Sequence, residues 1–201
     1  MSSSAISFTN NKYIIVRNFL DKDFIRLVSA YMQNYINRGN FNPSRDGDNE
    51  SKISWYADPL IETILDTCTA GVELQTGLNL IPTYSYARVY REGDELVRHV
   101  DRPACEISVT CNVYANTKQF IYMQDELNGG NEVEIFLEPG DAIIYRGCEI
   151  VHWRKKLQPG EINAQFMMHY VQKDGQYADR AYDTRPGLGY SYLSRKKMSR
   201  N

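Results

Sequence analysis

The chain has 201 residues, 42% hydrophobic and 24% charged, with a formal net charge of −2. That length suits one domain and that apolar share fills a core, so neither disorder nor a string of domains is the first reading. The slightly acidic balance argues against a nucleic-acid binder, which usually presents a basic face.

The N-terminal Met1-Ser2-Ser3-Ser4-Ala5 has neither the charged nor the apolar region of a secretory signal. Within residues 6–19 the β-rich run Tyr13-Ile14-Ile15-Val16 reads as a short strand. Asp21 then reads as an N-cap. Phe24, Ile25, Leu27, Val28, Tyr31, Met32, Tyr35 and Ile36 follow at helical spacing, and Gly39 ends the helix. Residues 40–52 are turn formers and charges, which predicts an exposed loop or lid. Asp58-Pro59 opens a second helix that stops near Gly77.

After Pro82 the period changes from 3.6 to 2: Tyr84, Tyr86, Arg88 and Tyr90 alternate with Ser85, Ala87 and Val89. Further strands are predicted over residues 106–114, 119–123, 132–137, 142–145, 149–157 and 162–172. Asn128-Gly129-Gly130 marks a hairpin, and Pro139-Gly140-Asp141 and Pro159-Gly160 mark turns. Two helices followed by seven or eight short antiparallel strands predict an α+β fold with a double-stranded β-helix, or jelly roll, supported by N-terminal helices. Residues 173–201 lack periodicity and read as a surface-packed extension. Neither an internal repeat nor a low-complexity segment is present. No apolar run approaches the roughly 20 residues of a membrane span. The four cysteines form no Cys-x-x-Cys pair, so buried free thiols and a cytoplasmic setting are expected.

The chain holds 15 Tyr but only three His: His99, His152 and His169. In Val97-Arg98-His99-Val100-Asp101, residues 99 and 101 share one face of a strand and can offer an imidazole and a carboxylate to one point. His152 supplies a second imidazole. Two His and one carboxylate leave positions open on a metal, which suits non-haem Fe(II). The bland alternative is a hydrogen-bonded pair at a strand end, with His152 satisfied in the core. The parity of His169 predicts an interior, hydrogen-bonded imidazole near the site. Trp153, of opposite parity to His152, predicts outer packing, and Tyr84 and Tyr86 predict core.

Residues 84–172 resemble the 2-oxoglutarate- and Fe(II)-dependent oxygenases, closest to their prolyl 4-hydroxylase-like branch. The resemblance is carried by Tyr90-x-x-Gly93, the 97–101 string, the strand Val109-Thr110-Cys111-Asn112-Val113-Tyr114, Pro139-Gly140-Asp141 and His152. It implies that residues 1–201 form a single oxygenase domain. Residues 1–80 would be helical support, 81–172 the jelly-roll core and 173–201 a C-terminal extension. It implies that His99, Asp101 and His152 ligate iron and that Tyr90 and Tyr114 reach the co-substrate. The family's cation on the last strand is missing, because the stretch reads Asn163-Ala164-Gln165. Parity offers Arg88, which shares a face with Tyr90, and Arg154, which shares one with His152.

The function implied is a hydroxylase acting on a C–H bond, with 2-oxoglutarate and O2 as co-substrates and ascorbate as a reductant. Its substrate would be a peptidyl proline. The alternatives are a free amino acid or another small metabolite, or a cupin-like metal-binding module without activity. No membrane partner is expected.

Overall fold

The structure, a computed structural model, describes residues 2–38 and 53–191. The predicted loop at 40–52, Gly39 and the end of the C-terminal extension lie outside the described residues. Helices α1 (Ser3–Asn11), α2 (Lys22–Asn37) and α3 (Pro59–Thr76) alternate with strands β1 (Tyr13–Val16) and β2 (Ile53–Tyr56). Eight strands follow: β3 (Leu80–Tyr90), β4 (Leu96–His99), β5 (Ile107–Ala115), β6 (Phe120–Gln124), β7 (Val133–Phe136), β8 (Ala142–Arg146), β9 (Val151–Arg154) and β10 (Asn163–Gln172). Among the described residues, no helix is long and apolar enough to cross a membrane.

Local chemistry sets the helix ends. The Asp21 carboxylate accepts from the Phe24 N–H at 2.8 Å and so caps α2. Asp58 accepts from Leu60 and Ile61 at 3.0 and 3.1 Å, Pro59 supplies the first turn of α3, and Gly77 closes it at φ 72°. Helix α1 was not expected. Its sequence is polar and buries only Ala5 and Phe8, so it is held by the packing of Phe8 and the Ser2 cap rather than by propensity.

The strands form two antiparallel sheets, ordered β1-β8-β5-β10-β3-β2 and β4-β9-β6-β7. Alternation divides their side chains between two cores. Val109, Cys111, Ala142, Ile144, Phe166 and Met168 pack against Val28, Met32, Ile61 and Leu65 of the helices. Ile143 and Tyr145, on the opposite face of β8, pack with Ile121, Met123 and Ile135 of the smaller sheet. Each fully buried apolar chain in these layers contributes roughly 2 kcal/mol. The inner face of the larger sheet therefore looks toward the smaller sheet, and the site forms between them.

Three expectations change. The strand at 149–157 is only Val151–Arg154, because Glu149 and Ile150 both donate to the Arg146 carbonyl in a turn. Only Cys105 and Cys111 are buried; Cys68 and Cys148 are half-buried, and all four are free thiols. The segment after β10 is not merely surface-packed. Arg185, 3% exposed, is buried against Glu62 of α3 and donates to the carbonyls of Thr83, Tyr182 and Tyr190. Asp183 is buried as well, within three consecutive positive-φ residues, Tyr182 to Thr184.

Candidate metal centre

Strands β4 and β9 are neighbours in the smaller sheet, and His99 stands directly opposite His152. The rings lie 4.3 Å apart between centroids. Each Nδ1 meets a carbonyl two residues back: Val97 at 2.8 Å for His99 and Ile150 at 3.0 Å for His152. A carbonyl only accepts, so each neutral ring carries its proton on Nδ1 and turns an unprotonated Nε2 lone pair toward the site, which in His152 the Tyr145 hydroxyl approaches at 3.4 Å. Both Nε2 atoms lie 3.6 Å from Asp101 Oδ1.

Asp101 reaches this point for a different reason than strand parity. β4 ends at His99, and Asp101 lies beyond it, anchored by its N–H to the Gly147 carbonyl at 2.8 Å. A Cβ at residue 147 would collide with the Cys105 carbonyl, the Asp101 carboxylate and the Ser108 hydroxyl, so this close approach requires glycine. The two Nε2 atoms and one carboxylate oxygen are gathered within 4.8 Å of one another. Ligands about 2.1 Å from a metal and at right angles to each other stand about 3 Å apart, so the set fits a metal with a small contraction. His152 is buried, whereas a third of the His99 side chain is exposed, so the cluster opens to solvent on one side.

The electrostatics favour a charged carboxylate. Burial opposes ionisation of Asp101, but the adjoining His99, the nearby His152 and His169 and the Ser108 hydroxyl outweigh it. Its carboxyl is held well below the usual carboxylate range. Burial pushes His152 down, only partly offset by Asp101. His99 is raised, because Asp101 and the Val97 carbonyl overcome its own desolvation.

Arg88 on β3 and Arg154 on β9 meet at the Tyr90 ring, their guanidinium carbons 4.1 and 5.8 Å from its centroid. Tyr90 is 1% exposed. Arg88 donates to the Glu95 carbonyl at 3.2 Å and Arg154 to the Phe120 carbonyl at 3.1 Å. Neither has a carboxylate partner among the described residues, and both Nε atoms are buried without a hydrogen bond. The side-chain oxygens of Asn163 and Gln165 are likewise buried and unpartnered. Burial lowers the Arg154 pKa, an effect that Tyr90 and Tyr145 offset and Arg88 reinforces.

Tyr114 is not brought to this face. A β-bulge sets it opposite Ala164, which packs on the helix side, while Asn112 pairs with the inward Gln165; Tyr114 is left 45% exposed. Parity counted from Thr110 fails at that bulge. Trp153 stacks on Tyr122 on the outer face, beneath Arg98, as its parity predicts. His169 is interior and hydrogen-bonded to Ser108 at 2.9 Å. Sequence reasoning missed Ser108, Tyr145 and Gly147. Ser108 shares the parity of Thr110 and Asn112, the one signal that pointed to it.

No family model matches the chain, and no curated protein matches its sequence. Solved structures do match in fold. A prolyl-4-hydroxylase from Pseudomonas putida aligns with a TM-score of 0.68 at 14% identity, over 86% of this chain and 99% of its own. The epimerase SnoN, solved with Fe3+, alpha ketoglutarate and nogalamycin RO, aligns at 0.73 and 12% identity, over 93% of this chain and 90% of its own. EctD from S. alaskensis, solved with 2-oxoglutarate and 5-hydroxyectoine, aligns at 0.69 and 12% identity, over 86% of this chain and 76% of its own. With its helices packed on antiparallel sheets, the chain shares its fold with 2-oxoglutarate- and Fe(II)-dependent oxygenases.

Proposed function

We propose that the chain is an Fe(II)- and 2-oxoglutarate-dependent oxygenase on a double-stranded β-helix, formed by β3 to β10, that hydroxylates a C–H bond. The alternation of these strands between the two sheets supports the β-helix reading. The observation that carries the function is the convergence of two unprotonated Nε2 atoms and one Asp101 oxygen at a site open on one side. His99, Asp101 and His152 would hold the iron. When bound, iron with 2-oxoglutarate and O2 supplies oxidative chemistry that yields succinate, CO2 and a hydroxylated substrate.

The protein's own part is to position and to exclude. Arg154 stands two residues, about 7 Å of strand, from His152. Arg88 faces Gln165 across the β3–β10 ladder, beside the stretch where the resemblance would place a last-strand cation. The two guanidiniums would together take the far carboxylate of 2-oxoglutarate, with Tyr90 packed beneath them. A cupin-like metal holder would have no use for two buried cations without counter-charges. The substrate is a peptidyl proline or a small metabolite; the named neighbours include a prolyl-4-hydroxylase and an epimerase solved with nogalamycin RO.

Succinate release from 2-oxoglutarate, with Fe(II) and ascorbate, tests the reading. Wild type is expected to exceed His99→Ala clearly, even without substrate, through uncoupled turnover. Equal release from both proteins, also with candidate peptides and metabolites present, sinks it.

A further inference from the structure

Across the inner face of the larger sheet runs one row of paired residues: Tyr84 on β3, His169 on β10, Ser108 on β5 and Tyr145 on β8. Of its two central members, Ser108 meets Asp101 and His169 meets Ser108. Ser108 Oγ lies 2.7 Å from Asp101 Oδ2 and 2.9 Å from His169 Nδ1. Ser108 and His169 are 0% and 5% exposed.

Resting on the metal-site reading above, we infer that Ser108 and His169 form a positioning relay. It holds Asp101 Oδ2 and thereby turns Oδ1 alone toward the two imidazoles. The direction of each bond follows from donor chemistry. An ionised carboxylate only accepts, so the single Ser108 proton goes to Oδ2; the Cys105 carbonyl, at 3.3 Å, is the poorer acceptor. The Ser108 lone pair is then left to accept, and His169 must donate from Nδ1. The imidazole therefore sits in one tautomer, with Nδ1 protonated, and the Tyr84 ring packs 4.6 Å from it. The glycine at 147 belongs to the same device, because any side chain there would strike both Ser108 and Asp101. Ser108 and His169 touch no metal in this arrangement. They act through Asp101, as groups behind metal ligands commonly do.

Cobalt(II) titration of the metal-free protein, followed by the visible ligand-field bands, tests this without turnover. Melting of each metal-free variant is recorded alongside. Ser108→Ala is expected to weaken Co(II) by about 10–100-fold, and His169→Leu by about 10-fold. His169→Asn keeps an N–H near the position of Nδ1 and should stay within about threefold of wild type. All variants should still melt cooperatively. Ser108→Ala or His169→Leu binding within about twofold of wild type overturns the relay, and so does His169→Asn falling as far as His169→Leu. His99→Ala separates the two readings. If it binds Co(II) like wild type, the metal site itself is wrong. If it fails while Ser108→Ala and His169→Leu bind normally, only the relay is.

Discussion

Among the described residues three arginines are buried, and they are treated in two ways. Arg185 has the Glu62 carboxylate, three carbonyls and a hydrogen bond on each of its nitrogens. Arg88 and Arg154 have one carbonyl each, a bare Nε and one another's repulsion near a shared tyrosine. Folding alone favours the first arrangement, since an uncompensated buried charge is costly. The second makes sense where an anion completes it. The contrast separates what holds the fold from what awaits a ligand, and it can be tested from both sides.

The largest expected effect is at Arg185. Arg185→Met leaves Glu62 buried without its counter-ion and should lower stability by about 3–5 kcal/mol in urea unfolding. Arg154→Met removes a charge that has no counter-ion among the described residues and should be neutral or stabilising. Equal losses in the two variants would erase the contrast.

His169 is a buried titratable group that the fold satisfies by keeping it neutral. Burial pushes it down to about 4. An unfolded imidazole takes its proton near pH 6.5, so between these values the unfolded chain binds more protons, and acid favours it. Stability is fully present above about pH 6.5 and drains by up to about 3 kcal/mol as pH falls toward 4. Asp101, held low, adds its own loss only below about pH 4. His169→Asn lacks the imidazole, so its deficit against wild type at pH 7 should shrink by about 2–3 kcal/mol at pH 4.5. A constant gap would show that His169 does not change protonation on folding.

The ligand side of the contrast is read by 2-oxoglutarate. Charge-assisted hydrogen bonds contribute about 1.5–3 kcal/mol each, so Arg154→Met and Arg88→Met should each raise the 2-oxoglutarate KM by roughly 10–100-fold, with kcat less affected. No change in either would remove both from the co-substrate site and leave their burial without a purpose.

How much of this was legible follows from how local each signal is. Asp21, Asp58-Pro59 and Gly77 announce α2 and α3 because caps act within one turn. The period-2 run before Tyr90 announces β3, and the scarcity of His narrows the metal candidates to few residues. The bulge that turns Tyr114 away leaves no mark in composition. Helix α1 depends on where Phe8 packs. The Arg185–Glu62 pair joins residues 123 apart, and Ser108 gains its role only by meeting Asp101 before it and His169 on a strand 61 residues later. Local propensities cannot register such meetings, because loop closure and sheet pairing decide them.

Arg102 tests the border between the two treatments. It follows Asp101, and its side chain is 47% exposed, yet it grips the buried Asp183 through both carboxylate oxygens, at 2.7 and 3.0 Å. Tyr56 donates to the same carboxylate at 2.6 Å. Asp183→Asn keeps the shape and tolerates the positive φ, so it removes charge without adding backbone strain. Water can take over the exposed side of the guanidinium, which screens the loss. The expected cost is about 1 kcal/mol in urea unfolding, well short of Arg185→Met. A loss as large as that at Arg185 would mean that partnership, rather than burial, sets what a guanidinium contributes here. The contrast among the arginines would then have to be redrawn around their partners.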